Sequence, residues 1–247
     1  MKMVNMLKKI WLDKPTKDSS VEYILKYLKY NHNKIHTLYA YDISKRLNLP
    51  KDSIVAELGC SGYESLILFR KMGFKKILVA DYNKELLEAT KNNFKDNPPM
   101  IYHTDFNNPI PFESGSIDLV NTLEVVEHIV NAEFYLSEIH RVLKKEGYLL
   151  ISTPNHAFYM SRWRSLKGDR LGSEGVHLRF FTKEHFETIL KDSGFDIIKR
   201  NSVGHFPIIN NEPWRTILER KRIHHYIPEF LESLFAINFV WLCKKQR

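Results

Sequence analysis

The sequence has few of the features that stabilise secreted or membrane-spanning proteins. It has two cysteines in 247 residues, and because neither Cys60 nor Cys243 belongs to a CxxC or Cys/His cluster, we expect no disulfide scaffold and no structural zinc. The N-terminus has no apolar stretch of signal-peptide length, and Glu232 and Asn238 interrupt the longest apolar run, residues 230–243. We therefore expect a cytoplasmic protein without a transmembrane segment.

Positive charge is unevenly distributed along the chain. Residues 1–50 carry ten Lys/Arg against four Asp/Glu, residues 51–150 carry eleven against fifteen, and residues 151–247 carry sixteen against ten. The two basic flanks favour an anionic acceptor, a membrane surface or RNA as a partner. The alternative, favoured for residues 1–50, is an ordinary solvated surface of a lysine-rich protein.

The run Ile54–Tyr63, IVAELGCSGY, predicts a strand, a glycine turn and the start of a helix. Gly59 allows a backbone conformation closed to other residues and a close approach by a ligand, while free helix N–H groups point into the same space. Glu57 ends the strand and would face that ligand. A nucleotide-like cofactor can bind there, although such a turn also serves as a plain connector.

A second apolar run, Lys76–Ala80, ends at Asp81, which lies 22 residues after Gly59. A carboxylate at this place can accept both hydroxyls of a ribose. Asp81 also precedes the helical pattern Asn83–Phe94, so an N-cap is the alternative role, and both roles are compatible.

Three further segments narrow the interpretation: Thr104-Asp105-Phe106, Ile117–Ile129 and His140–Asn155. In this order and spacing, with the glycine turn and the acid after the second strand, the chain resembles the class I S-adenosylmethionine-dependent methyltransferases, in the group that acts on quinones, sugars and other small molecules. The resemblance covers roughly residues 53–204.

The resemblance implies S-adenosyl-L-methionine as the cofactor and a set of residues that bind it. These are Glu57 and Gly59 at the methionine portion, Ser61 in the turn, Asp81 at the ribose, Tyr82, Asp105 and Phe106 at the adenine, and Leu123 at the methionine amino group. The chain departs from the family pattern in one respect, because Ser61 and Tyr63 stand where the family has its second and third turn glycines. Because of that departure, a cofactor-binding module without catalysis is an alternative function.

The alternation of strand and helix patterns predicts an α/β fold with a mostly parallel sheet and helices on both faces. The resemblance implies a Rossmann-like sheet of seven strands in the order 3-2-1-4-5-7-6. We expect an N-terminal helical extension over residues 1–50 and a cofactor-binding core over 51–204. Residues 205–247 are expected to add a basic, aromatic insert and the final strand of the same domain.

The chemistry is expected at Glu124, Glu127 and His128, whose spacing places them on one helix face if the helix has begun by Glu124. His128 is the candidate general base for an acceptor hydroxyl, and Glu127 is the second candidate catalytic residue. Capping and packing of the helix is the alternative role. The letters ExxEH also resemble a divalent-metal motif of small-RNA 2′-O-methyltransferases and some quinone O-methyltransferases, with His177 as a further ligand, but we expect no functional metal.

The connection 156–179 mixes aromatic and basic residues and is expected to cover the acceptor pocket as a lid, with a plain surface loop as the alternative. The sequence as a whole predicts a methyltransferase that acts on a small-molecule acceptor, which can carry an anionic group. The expected target atom is an oxygen of a sugar or of a lipid precursor. An RNA methyltransferase is the second function. The sequence leaves the oligomeric state open.

Overall fold

The computed structural model describes residues 21–30, 35–60, 63–168, 177–204 and 229–246. A single sheet of seven strands organises these residues, in the order β3-β2-β1-β4-β5-β7-β6. Strands β1 to β5 pair in parallel, and β7 is antiparallel to both β5 and β6. The predicted fold class and strand order are therefore confirmed. The last strand in sequence lies one place in from the edge, and β6 forms the edge itself.

The strands are β1 (Ile54–Leu58), β2 (Lys76–Asp81), β3 (Met100–His103), β4 (Ile117–Leu123), β5 (Leu143–Pro154), β6 (Phe195–Gly204) and β7 (Ala236–Lys245). The α-helices are α1 (Val21–Tyr30), α2 (Ile35–Ser44), α3 (Glu64–Lys71), α4 (Lys84–Asn93), α5 (Ala132–Val142), α6 (Tyr159–Leu166), α7 (Lys183–Asp192) and α8 (Glu229–Phe235). A 3₁₀ turn covers Val126–His128. None of the helices in the described ranges is long and apolar enough to cross a membrane.

Alternating strand residues feed two hydrophobic cores, one on each face of the sheet. Side chains of α1 to α4 pack on one face, and those of α5 and α7 pack on the other. In β1, for example, Val55 belongs to the first core and Ala56 to the second. Full burial of a Leu or Ile side chain contributes roughly 1.5–3 kcal/mol, so the two cores hold the carboxyl ends of the strands in fixed register. Cys60 and Cys243 are both free and buried, as expected.

Side-chain caps begin α4 and α7, at Asn83 and Thr182, and both are residue types that favour this position. Thr182 caps α7, where its side chain accepts from the His185 N–H. At α4, however, the cap is Asn83, whose Oδ1 accepts from the N–H groups of Glu85 and Leu86 at 2.9 and 3.1 Å. The alternative N-cap role for Asp81 is therefore wrong, because its side chain turns toward the end of β1 instead.

The domain boundaries expected from the sequence remain a prediction. Helices α1 and α2 pack into the same core as α3 and α4, so the described part of residues 1–50 adds to the face of the sheet. The basic, aromatic insert predicted around residues 213–228 lies outside the described residues.

Candidate functional site

The turn after β1 has the backbone conformation for which a glycine was expected. Gly59 has a φ of +83°, in the left-handed region that favours glycine. A Cβ at this position would run into the side chain of Val125. Tyr63 has a φ of −89° and a ψ of −1° at the start of α3, an ordinary conformation for any residue. The missing third glycine of the family pattern therefore requires no strained backbone here.

Asp81 closes β2 and joins the two strand ends. Its Oδ2 accepts from the Cys60 N–H at 2.7 Å, and its Oδ1 accepts from the Asn83 N–H at 2.7 Å. Each carboxylate oxygen has about two acceptor positions. One position on each oxygen is thus used by the protein backbone, and the other is available to a pair of ligand hydroxyls.

A cleft of about 610 Å³ opens at the carboxyl ends of β1, β2 and β4, which is where ligands of open α/β sheets bind. Six of the predicted cofactor residues line it: Gly59, Asp81, Tyr82, Asp105, Phe106 and Leu123. His128 and Glu124 also lie on its wall. The structure therefore brings six of the eight expected cofactor residues and the candidate base to one cleft.

The side of this cleft where the adenine is predicted to bind combines exposed and buried groups. Tyr82 is 71% exposed, whereas Phe106 is 5% exposed and packs on Tyr135 with ring centroids 5.4 Å apart. Asp105 Oδ1 accepts from the backbone and side-chain N–H groups of Asn107 at 2.9 and 2.8 Å. These contacts orient the carboxylate toward the cleft before any ligand binds.

One predicted cofactor residue within the described ranges does not line the cleft. Glu57 is 4% exposed, and its Oε2 accepts from Asn121 Nδ2 at 2.7 Å, so its carboxylate lies behind the turn and not among the residues that line the cleft. Ser61 lies outside the described residues. The expected direct contact of either residue with the cofactor stays a prediction.

Glu124 is not part of a helix, so the expected helical face of Glu124, Glu127 and His128 is wrong. Glu124 has a φ of +56°, and the 3₁₀ turn begins only at Val126. The reason is a set of contacts across the sheet. The Glu124 N–H donates to Ser152 Oγ at 3.0 Å, while its carboxylate accepts from Ser152 Oγ at 2.7 Å and from Asn238 Nδ2 at 2.5 Å.

His128 and His177 come together although they are distant in sequence. The backbone carbonyl of Glu127 accepts from the N–H groups of Leu178 and Arg179 at 2.9 and 3.0 Å. This pairing brings the His177 ring to a centroid distance of 4.9 Å from the His128 ring, at an interplanar angle of 70°. The far end of the 156–179 connection is thereby attached to the candidate catalytic turn.

Glu127 lies beneath His128, fully buried. Its Oε1 is 4.0 Å from His128 Nε2, and neither carboxyl oxygen has a hydrogen-bond partner within the described part of the chain. Burial, reinforced by the Glu124 carboxyl, raises the pKa of Glu127 well above its ordinary value. A buried carboxyl without partners favours its neutral form.

The histidines around this turn have depressed basicity. Burial and the neighbouring His128 lower the pKa of His177. Burial, with His177, lowers the pKa of His156 to about 4. The rings of His156 and Phe180 are in edge contact at a centroid distance of 4.5 Å. His156 and His177 therefore favour the neutral imidazole at neutral pH.

The ligand atoms of Glu127, His128 and His177 lie within 4.8 Å of one another. Two imidazoles with one carboxylate are a donor set that suits a transition metal ion. Glu124, the fourth residue of the metal resemblance, is instead engaged by Ser152 and Asn238. The described residues thus bring together three of the four groups that the resemblance implied.

Sequence reasoning missed part of the cleft wall. The wall also contains Asn83, Leu86, Asn107, Val125, Ile129 and Leu178. Two of these residues could have been found from the sequence: Asn83 as a helix N-cap, and Asn107 as a polar neighbour of Asp105. Val125 and Leu178 reach the cleft through long-range packing, for which a single sequence gives no signal.

Known proteins that are similar to this chain are methyltransferases. The model of the methyltransferase domain family matches residues 56–151. A probable S-adenosylmethionine-dependent methyltransferase from Mycolicibacterium smegmatis is 25% identical over 152 residues, which cover 59% of this chain and 57% of the relative. A ubiquinone biosynthesis O-methyltransferase from Pelagibacter ubique is 25% identical over 202 residues, covering 74% and 76% of the two chains.

Solved structures share the fold. An S-adenosylmethionine-dependent methyltransferase from Mesorhizobium loti superposes with a TM-score of 0.60 at 14% identity, covering 87% of this chain and 100% of that one. The chain spans a little over half the length of the first curated relatives it matches, 57% and 52%. The prediction of S-adenosyl-L-methionine as cofactor agrees with the matched family.

Proposed function

Because the chain belongs to the class I S-adenosylmethionine-dependent methyltransferases, we propose that it transfers the methyl group of S-adenosylmethionine to an oxygen of a small-molecule acceptor. The observation that carries this proposal is the cleft of about 610 Å³ in which Asp81 and Asp105 share a wall with His128. A site of that size accommodates a drug-sized ligand. The cytoplasmic location remains a prediction.

The residues fit the cofactor in charge and shape. Asp81 has an acceptor position left on each oxygen for the two ribose hydroxyls, and Gly59 leaves the space that a Cβ would close against Val125. Phe106 supplies an apolar surface for the adenine, and the Asp105 carboxylate supplies an acceptor for its amino group. The cofactor contributes an electrophilic methyl group when bound.

Methyl transfer to a hydroxyl needs an acceptor in line with the methyl group and a base for the hydroxyl proton. We assign the base to His128, whose side chain is 36% exposed while the Glu127 beneath it is almost fully buried. An imidazole can take up a proton near neutral pH. Glu127 Oε1 lies 4.0 Å from Nε2, so a proton on the ring would favour the charged form of this buried carboxyl, which would then stabilise the imidazolium.

The cleft wall and one relative both support a particular class of acceptor. The wall near His128 is apolar, with Val125, Ile129 and Leu178, which favours an acceptor with a hydrophobic part. The Pelagibacter ubique relative is a ubiquinone biosynthesis O-methyltransferase by name. Both observations support a hydroxylated aromatic or lipid precursor more than a free sugar.

The test is the variant His128→Ala, assayed with catechol and dihydroxybenzoate acceptors and with radiolabelled S-adenosylmethionine. Loss of a general base slows transfer by about 10²-fold or more, while cofactor affinity by calorimetry is expected to stay within threefold. His185→Ala is the matched control, because His185 is exposed on α7 and does not line the cleft. Near-normal turnover in His128→Ala would remove the assigned role.

A metal-assisted reaction is the second candidate, supported by the buried, unpartnered Glu127 carboxyl beside His128 and His177. A divalent ion held there by the three residues would supply a Lewis acid for the acceptor oxygen. Full activity after exhaustive EDTA treatment would exclude this candidate. Loss of activity that returns with Mg²⁺, Mn²⁺ or Zn²⁺, together with calorimetric binding of the same ion that disappears in His177→Ala, would establish it.

A further inference from the structure

Helix α6 exposes apolar side chains along one side. Met160, Trp163 and Leu166 are 39%, 54% and 81% exposed, and no residue of the helix is buried. Their spacing of three residues places them in one stripe, because neighbours at i and i+3 share a helix face. Exposed Trp and Leu side chains lose the stabilisation that burial would give them, and a contiguous exposed apolar surface often marks an interaction site.

Basic residues flank this stripe. Arg162, Arg164 and Lys167 lie in or directly after α6, and the sequence from Asn155 to Gly168 contains no acidic residue. The Lys167 ammonium lies 5.3 Å from the centroid of the Trp163 ring. None of these three cations forms an ion pair with another described residue. The face therefore combines apolar side chains with positive charge that no carboxylate in the described ranges pairs.

Helix α6 is tied to the mouth of the cleft. The His156 N–H, three residues before the helix, donates to the Phe181 carbonyl at 2.9 Å. Tyr159 in the helix contacts Phe235 of α8, with ring centroids 5.7 Å apart. The segment that α6 adjoins exposes Leu178 by 54% and Phe180 by 40%, and Leu178 lines the cleft itself.

We propose that α6 docks this protein onto an anionic lipid bilayer, with the stripe of Met160, Trp163 and Leu166 in the interface and the cations at the headgroups. A short helix with an apolar side, basic flanks and an aromatic residue has the composition of interfacial helices. Anionic headgroups complement the three cations. At eight residues the helix is about 12 Å long, so it lies along the surface.

Lipid docking places the mouth of the cleft beside the bilayer, where an acceptor with a hydrophobic tail is concentrated. The docking itself does not depend on methyl transfer, so it is tested by binding alone. A second copy of the chain and RNA are the other occupants that an apolar, basic face can take. The experiment below distinguishes them.

Co-sedimentation is measured with vesicles of phosphatidylcholine alone and of phosphatidylcholine mixed with phosphatidylglycerol. The wild-type protein is expected to bind the anionic vesicles, less strongly as salt rises, and to bind neutral vesicles weakly. The double variant Trp163→Glu/Leu166→Glu is expected to lose at least tenfold in apparent affinity. Arg164→Glu/Lys167→Glu is expected to lose the preference for anionic lipid.

Ile198→Glu is the matched control, since Ile198 is 51% exposed on the edge strand β6 and is expected to leave vesicle binding unchanged. All substituted side chains are exposed, so circular dichroism and melting temperature should match the wild type. The proposal is overturned if the wild type does not bind anionic vesicles or if Ile198→Glu loses as much as the double variant. It is also overturned if the double variant changes only the oligomeric state by light scattering, or loses only binding to an RNA oligonucleotide.

Discussion

Replacing Asp81 by alanine is the most direct test of the cofactor site. The carboxylate is 8% exposed and lies at the junction of β1 and β2, where both oxygens accept a backbone N–H at 2.7 Å. Asp81 lines the cleft, where its remaining acceptor positions are proposed to meet the ribose. If two ribose hydroxyls occupy them at about 1.5 kcal/mol each, the low end for hydrogen bonds to a charged group, their loss totals about 3 kcal/mol.

A loss of about 3 kcal/mol corresponds to a rise of about 150-fold in the Kd of S-adenosylmethionine. If only one hydroxyl is bound, the rise is about tenfold. The variant also leaves the N–H groups of Cys60 and Asn83 without their acceptor. We therefore expect a decrease of about 1–3 kcal/mol in the free energy of unfolding, the cost of leaving a buried donor unsatisfied.

Asp118→Ala provides a control with the same chemistry at the opposite end of the sheet. Asp118 Oδ2 accepts from the Ile54 N–H at 2.8 Å, and the carboxylate pairs with Lys144 at 2.8 Å, but it does not line the cleft. It should lower stability and leave cofactor affinity unchanged. Titration calorimetry and urea denaturation separate the two effects. A Kd for Asp81→Ala within threefold of wild type, or an equal loss of affinity in both variants, would refute the ribose assignment.

Three further predictions concern the turn and the buried groups. Gly59→Ala should lower the free energy of unfolding by at least about 1–2 kcal/mol through its left-handed backbone alone, and adding Val125→Ala, which removes the clash, should recover part of the loss in urea denaturation. Because burial raises the folded-state pKa of Glu127, the free energy of unfolding should fall as pH rises through that pKa, by up to about 1.4 kcal/mol per pH unit. A Glu127→Gln protein that keeps the same slope would contradict this. Burial lowers the pKa of His156 from 6.5 to about 4, which gives the opposite pH dependence: the free energy of unfolding should fall as pH drops from about 6.5 toward 4. Thermal melts of His156→Gln should show a shallower decline in that range.

The sequence carried most of the fold. Strand and helix patterns, the Thr182 cap and the glycine turn are local features, and local physics determines them: a left-handed turn needs Gly59, and alternating apolar residues need a buried face. The acid at the end of β2 was located for the same reason, since a carboxylate that closes a parallel strand emerges at the ligand-binding edge of the sheet.

The long-range contacts were decided by the tertiary structure alone. Glu124 leaves the helical geometry because Ser152 and Asn238 bind its carboxylate from neighbouring strands, and Glu57 is engaged by Asn121 of β4. The resemblance had suggested His177 as a partner of His128, but the contact that brings it there, from the N–H groups of Leu178 and Arg179 to the Glu127 carbonyl, appears only in the structure. Partners brought together across the sheet are separated by many residues in the chain, so residue type and spacing do not encode them.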